Sequence, residues 1–280
     1  MKTTALVLGG GGITGVGWEA GMLAGLAAAG VDVSTAATVI GTSAGSVVGA
    51  QLTSGRLTPA ELYERQLADS TGEIGARLRK ATVARYALAV LLSRDTEAFG
   101  ARIGRLALSA RTPAEPERRA VIEQRLLSHD WPARRLVITA VNAATGEFAA
   151  FDDSSGVGLV DAVTASCAVP GVWPPTTIDG DRWIDGGIRS VVNADLAAGH
   201  DRVVILAPMA RGGGPLPSAG AQAAQLTSAG ARVVLITPDS AARAAIGRNP
   251  LDPARRASAA RAGHAQAAAH AEAVARVWTG

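Results

Sequence analysis

The stretch Val39-Ile40-Gly41-Thr42-Ser43-Ala44-Gly45-Ser46 constrains the fold of this chain more than any other. It reads as the end of an apolar strand, then Gly-x-Ser-x-Gly, then a helix that opens on small residues. A serine at the tip of a sharp strand-to-helix turn needs small neighbours, because the backbone doubles back on itself there. Gly41 and Gly45 leave that room, and Ser43 then faces outward beside the N–H groups of a helix start. The pattern taken alone also fits a simple Gly/Ser turn, so the rest of the chain must supply what a nucleophilic serine requires.

The neighbourhood of that turn indicates the fold class. Thr4 to Leu8 is a short buried-strand pattern that runs into Gly9-Gly10-Gly11-Gly12-Ile13-Thr14-Gly15, with a helix expected from about Val16 to Ala29 and stopped by Gly30. Ala37 to Ile40 is the next strand, and Ala44 to Thr53 the helix behind the serine. Strand–helix–strand–helix is the pattern of a parallel sheet covered by helices. Both glycine-rich turns fall at carboxyl ends of strands, where open α/β sheets place their sites. The expected fold is α/β, a three-layer sandwich whose mostly parallel central sheet is flanked by helices.

Further along, Thr58-Pro59-Ala60-Glu61 carries the marks of a helix start, and residues 58–128 read as a helical insert with a basic excess. Its one strong apolar run is Tyr86 to Leu92. Arg135 to Val141 and Glu147 to Phe151 read as a hairpin, and Leu159 to Ala168 as a helix. Thr177 to Ile184 reads as a tight hairpin around Asp179-Gly180 that delivers Asp185-Gly186-Gly187. Arg202 to Ala207 and Arg232 to Ile236 are two more strands, and an Ala/Arg-rich helix follows from about Asp252. No repeat or linker divides the chain, so residues 1–280 are expected to form one domain, with strands and a helix closing it over 201–280.

Composition narrows the function classes. Hydrophobic residues make up 48% of the chain and aromatic residues 4%, an ordinary globular balance built on small aliphatic side chains. The net charge is +3, and no long Lys/Arg block argues for nucleic acid. The single cysteine, Cys167, excludes an internal disulfide and reads as a buried small hydrophobe. The N-terminus lacks the pattern of a signal peptide, and no apolar run reaches membrane-span length. A cytoplasmic protein is expected, with any membrane contact peripheral and at the inner face. No cluster of ligating side chains suggests a metal, and no cofactor is expected.

A serine hydroxyl needs a base and an oxyanion site. Gly10, Gly11 and Gly12 are candidate N–H donors, because successive free N–H groups at a helix start form an anion-binding nest. The base is open. None of His129, His200, His264 and His270 lies in a strand-end or glycine-rich context, although a Ser–Asp–His order using His200 is formally available. Asp185 ends a strand and is followed by two glycines that leave its carboxylate approachable, yet Asp-Gly is also a common turn pair. Asp152, Asp153, Asp179 and Asp181 lie in turns without that feature. The first glycine loop also matches a dinucleotide fingerprint, with Asp32 further on, although Ser43 occupies the strand end that the fingerprint's acidic residue should take.

Three pieces in this order resemble the patatin-like phospholipase family: Gly10-x-Gly12-x-x-Gly15, Gly41-x-Ser43-x-Gly45 and Asp185-Gly186-Gly187. The segment Ala165 to Pro175 is similar to the family's stretch ahead of its aspartate, and the resemblance covers residues 4–207. It implies a patatin-like fold and hydrolysis of fatty-acyl esters of lipids by a Ser–Asp dyad without histidine. Carried over by position, Ser43 is the nucleophile, Asp185 the base, and Gly10, Gly11 and Gly12 the oxyanion donors. Gly15, Gly41, Gly45, Gly186 and Gly187 are the motif glycines. Members commonly carry Arg or Lys two residues after the loop glycines, where this chain has Thr14. A catalytically weak or inactive lipid-binding member of the same fold is the alternative. The insert, with basic residues beside the Tyr86 to Leu92 run, is expected to meet an anionic lipid surface or to act as a lid.

Overall fold

A computed structural model describes residues 3–68 and 75–279. The part of the expected insert over 69–74 lies outside the described residues. The chain begins with β1 (Thr4–Leu8), α1 (Gly12–Ala28), β2 (Thr38–Gly41) and α2 (Ala44–Thr53), then a helical stretch of α3 (Pro59–Leu67), α4 (Lys80–Leu92), α5 (Thr96–Ser109) and α6 (Glu115–Arg125). It continues through β3 (Arg135–Asn142), β4 (Phe148–Phe151), α7 (Leu159–Ser166), β5 (Thr176–Ile178), β6 (Asp181–Asp185), β7 (Arg202–Leu206) and α8 (Ala219–Ser228). It closes with β8 (Arg232–Ile236), α9 (Ser240–Ile246), α10 (Arg256–Ala267) and α11 (Ala271–Trp278).

The eight strands form one sheet in the order β5-β6-β3-β2-β1-β7-β8, with β4 also paired to β3. β3, β2, β1, β7 and β8 run parallel, whereas β4, β5 and β6 are antiparallel additions at one side. Strand β1 shows why both faces are covered. Leu6 and Leu8 point into a core with α1, α2, α7 and α10, and Ala5 and Val7 point into a second core under α8. A smaller cluster joins α4 and α5 to Val141 and Ile184 on the antiparallel side.

Helix α1 departs from expectation by starting at Gly12, four residues early, so Gly15 is inside the helix and the glycine loop is short. The cause is long-range. The backbone of Pro250 accepts from the Thr14 N–H at 3.1 Å and lies where a Cβ on Gly12 would be, 2.5 Å from its oxygen. The same close approach runs down α1, where a Cβ on Gly21 would sit 2.0 Å from the Ala260 oxygen and one on Gly17 2.5 Å from that of Arg256. Glycines at a spacing of four therefore form a flat ridge against α10. The C-terminal helix expected from about Asp252 is two helices, α10 and α11, with a break between them. The Asp179-Gly180 hairpin forms as expected, with both residues at positive φ (51° and 86°), as a two-residue turn between twisted strands requires.

Candidate active site

Ser43 occupies the turn between β2 and α2 with φ 52° and ψ −111°, a left-handed conformation in which a non-glycine residue is strained. The turn is held in this shape from several directions. The Thr42 N–H donates to Leu8 O (3.0 Å) and the Gly45 N–H to Gly9 O (3.1 Å), which ties it to the end of β1. A Cβ on Gly45 would lie 2.0 Å from Leu8 O, and one on Gly41 2.6 Å from Gly45 O, so both flanking positions admit only glycine. The end of α7 closes the third side. Ser43 N donates to Ser166 Oγ (2.9 Å), and Cys167 Sγ donates to Ser43 O (3.3 Å).

Asp185 arrives from β6, paired opposite Ala140 of β3. Its N–H donates to Ala168 O (3.1 Å), and its Oδ1 accepts from the Gly187 N–H (2.8 Å). Gly186 must be a glycine because a Cβ there would lie 2.2 Å from Thr139 Oγ1. The Ser43 hydroxyl lies near enough to the Asp185 carboxyl to lower its pKa. Ser43 and Asp185 are each 6% exposed. Burial pushes the Asp185 pKa up to about 6, against the opposing pull of the Ser43 hydroxyl, the Gly187 hydrogen bond and the charge of Arg118. A carboxyl so placed takes a hydroxyl proton more readily than a solvated aspartate would, and remains ionised above pH 6.

Asn193 was not among the residues picked out from the sequence. It is fully buried, and its Nδ2 donates to Ser190 O (2.8 Å) and Thr42 Oγ1 (3.0 Å), with Gly186 O at 3.2 Å. One amide thus bridges the residue before Ser43 and the residue after Asp185. Its left-handed backbone (φ 48°) is a local sign that asparagine tolerates better than most residues.

The glycine loop differs from expectation at one donor. Gly10 is ruled out, because its N–H already donates to Val191 O (2.7 Å). The N–H groups of Gly11 and Gly12 have no backbone acceptor among the described residues and open the first turn of α1, and Ala44 opens α2. Gly12, Ser43 and Ala44 line a common cleft with Ile13, Val16, Val47, Trp173 and Leu251. Thr14 is fully buried and donates from Oγ1 to Pro250 O (3.2 Å), so its role is packing and it brings no cation to the site.

The rival bases and ligands are elsewhere. His200 bonds through Nε2 to Thr38 Oγ1 (3.0 Å), at the end of β2 opposite Ser43. His264 stacks on Tyr63, His129 Nε2 lies 3.0 Å from Glu123 O, and His270 contacts Gln266. Asp32 caps a short turn ahead of β2, at the far end of the sheet from the glycine loop, so the dinucleotide reading loses its acidic residue. Among the described residues no group of three or more His, Cys, Asp or Glu could hold a metal ion.

The sequence profile of the family described as "Patatin-like phospholipase" matches residues 6–198. That is most of the chain, which therefore belongs to the patatin-like phospholipase family, a family of lipid hydrolases. Among solved structures, VipD from Legionella pneumophila is similar at 14% identity with a TM-score of 0.48, over 98% of this chain and 67% of that one. The type III effector protein ExoU is similar at 16% identity with a TM-score of 0.44, and the chain spans 53% of its length. Comparison with curated protein sequences gives no match.

The raised Asp185 pKa has a consequence for stability. The folded chain holds this proton more tightly than the unfolded chain, so Asp185 weakens folding as pH rises through about 4 to about 6. Asp185→Asn removes the charge and keeps an acceptor for the Gly187 N–H. The variant is expected to be the more stable protein at pH 7 by on the order of 2 kcal/mol, and the difference should vanish by about pH 4. Urea denaturation at the two pH values measures it, and a variant less stable at pH 7 would contradict a desolvated carboxylate.

Proposed function

We propose that the protein is a lipid acyl hydrolase, of phospholipase A, lysophospholipase or carboxylesterase type, that works through a Ser43–Asp185 dyad and an acyl-enzyme. The observation that carries this reading is the burial of Ser43 and Asp185 beside one another, both anchored to the end of α7, with each histidine partnered elsewhere. Ser43 Oγ attacks the ester carbonyl carbon as its proton passes to the Asp185 carboxylate. The carbonyl oxygen takes up the negative charge and is held by the N–H groups of Gly11 and Gly12, joined by that of Ala44. Collapse of the tetrahedral intermediate expels the alcohol, which leaves with the proton from Asp185. Water then gives a proton to Asp185 and attacks the acyl-enzyme, and the fatty acid is released as Ser43 Oγ recovers the proton. The strained backbone at Ser43 keeps the nucleophile and the helix-start donors in register, so little reorganisation accompanies the reaction. No metal or cofactor enters any of these steps.

The apolar wall of the cleft, from Ile13, Val16, Val47 and Leu251, suits an acyl chain. Thr14 gives little support to an inactive lipid-binding protein, since its side chain is used to fix the Pro250 backbone. The basic insert supports peripheral contact with an anionic membrane. α4 turns Tyr86, Ala89 and Val90 toward the cluster that includes Ile184 and Ile188, and turns Leu88, Leu91 and Leu92 outward, with Leu91 81% exposed. Arg79, Lys80 and Arg85 are exposed on the same helix and its start, and Arg77 and Arg248 join Arg79 and Lys80 around an adjacent groove. Apolar side chains set among cations suit the headgroup region of an anionic bilayer. Among the described residues no helix is long and apolar enough to cross a membrane.

A substrate panel of nitrophenyl esters, lysophospholipids, diacyl phospholipids and triglycerides tests the activity. Wild type is expected to release fatty acid from at least one lipid class, and Ser43→Ala to lose about a thousandfold or more of that rate; wild-type rates on Ser43→Ala would place the nucleophile elsewhere. Vesicle sedimentation tests the membrane face. Binding should favour vesicles containing anionic lipid over neutral ones and fall in Leu91→Glu, and equal binding to both vesicle types would remove the electrostatic part.

A further inference from the structure

The loop over residues 186–195 touches the aspartate, the nucleophile turn and the glycine loop, and it contains a cation that the hydrolytic steps do not use. Asn193 Nδ2 donates to Gly186 O (3.2 Å), beside Asp185, and to Thr42 Oγ1 (3.0 Å), beside Ser43. Val191 O accepts from the Gly10 N–H (2.7 Å), which anchors the glycine loop to the same segment. Asn193 is fully buried, and its Nδ2 faces two carbonyl oxygens, Gly186 O and Ser190 O. With the amide turned over, Oδ1 would meet both carbonyls and the bridge would become a repulsion. The bridge therefore depends on which end of the amide faces the site.

Arg189 decides that. Its Nη1 donates to Asn193 Oδ1 (2.9 Å), and only the oxygen end of the amide can accept this bond. The guanidinium is itself held on two sides. It pairs with Asp195 through Nη1 to Oδ1 (3.0 Å) and Nη2 to Oδ2 (2.6 Å), and it lies over the Phe148 ring of β4, 4.2 Å from the centroid. A two-bond pair stacked on a ring keeps little rotamer freedom. The Arg189 and Asp195 side chains are 28% and 37% exposed, so the ion pair by itself adds little stability. We infer that Arg189, clamped by Asp195, is a positioning residue for the reaction at Ser43. It acts through Asn193, whose donor end it keeps on Thr42 and Gly186, and it closes the loop that holds Gly10. This rests on the hydrolase reading above and extends it to a residue that does not line the cleft.

Arg189→Met removes the donors and keeps an apolar stem over Phe148. On a soluble nitrophenyl ester it is expected to lose about tenfold or more in kcat with KM within about twofold of wild type, because the reacting groups shift while the apolar wall of the cleft stays. An unchanged kcat overturns the role. In an Asn193→Ala background the same substitution is expected to cost almost nothing further, and a full additive loss there shows that Arg189 does not act through Asn193. Where the Asn193 variant fails to fold, Asp195→Asn replaces it: it loosens the clamp with Arg189 and Asn193 in place, kcat is expected to fall in the same direction, and no fall overturns the clamp. Amide hydrogen exchange reads the link without turnover. Peptides covering residues 9–12 and 41–45 are expected to exchange faster in Arg189→Met while those of α10 and α11 match wild type, and equal exchange at the site overturns the link. Faster exchange there in a protein whose wild type hydrolyses no ester keeps the link and removes the hydrolase reading. Wild-type hydrolysis that Arg189→Met leaves unchanged does the reverse, so the two fail separately.

Discussion

Asp185 is held out of water next to a serine hydroxyl, and much of the surrounding structure serves to make that arrangement possible. A buried carboxylate is unfavourable unless its oxygens are met by donors. Here the Gly187 N–H meets one of them with the Ser43 hydroxyl near by, and the pKa still stands at about 6. The two residues come from strands of opposite direction, β2 and β6, separated by β3. Two pieces of chain hold them together. The end of α7 binds Ser43 through Ser166 and Cys167 and binds Asp185 through Ala168, and Asn193 ties Thr42 to Gly186 from below.

The strain at Ser43 belongs to the same construction. Its left-handed backbone persists because β1, α2 and α7 together leave the turn no other course, with Gly41 and Gly45 giving the space. The C-terminal part of the chain also reaches this region. Pro250 covers the glycine loop, and α10 lies against the glycine ridge of α1, so segments beyond the family match at residue 198 help to shape the cleft.

What could be read from the sequence was local or repeated over short spacing. The helix after Ser43, the strands around it and the Asp179-Gly180 hairpin are written in turn chemistry and apolar runs, and each forms where that chemistry puts it. What could not be read depends on partners far along the chain. Gly10 resembles its neighbours in sequence, yet its N–H is taken by Val191. The early start of α1 depends on Pro250, and Asn193 gains its meaning only when Thr42 and Gly186 meet around it. The spacing of four between Gly17, Gly21 and Gly25 gains its meaning only from α10, which packs against them. The basic insert was legible as charge; that two of its arginines point into the cleft followed from the fold alone.

We propose that a buried aspartate, with no histidine between, activates Ser43. The most direct measurement is the rate at which a fluorophosphonate labels Ser43 as a function of pH, in the wild type and in Asp185→Asn, with the modified residue located by mass spectrometry. The account predicts a wild-type rate that rises with pH through a midpoint near 6, set by Asp185, and a variant rate that has lost this limb and is lower by about a thousandfold. A wild-type profile without that midpoint, or an Asp185→Asn rate close to the wild type, would contradict it.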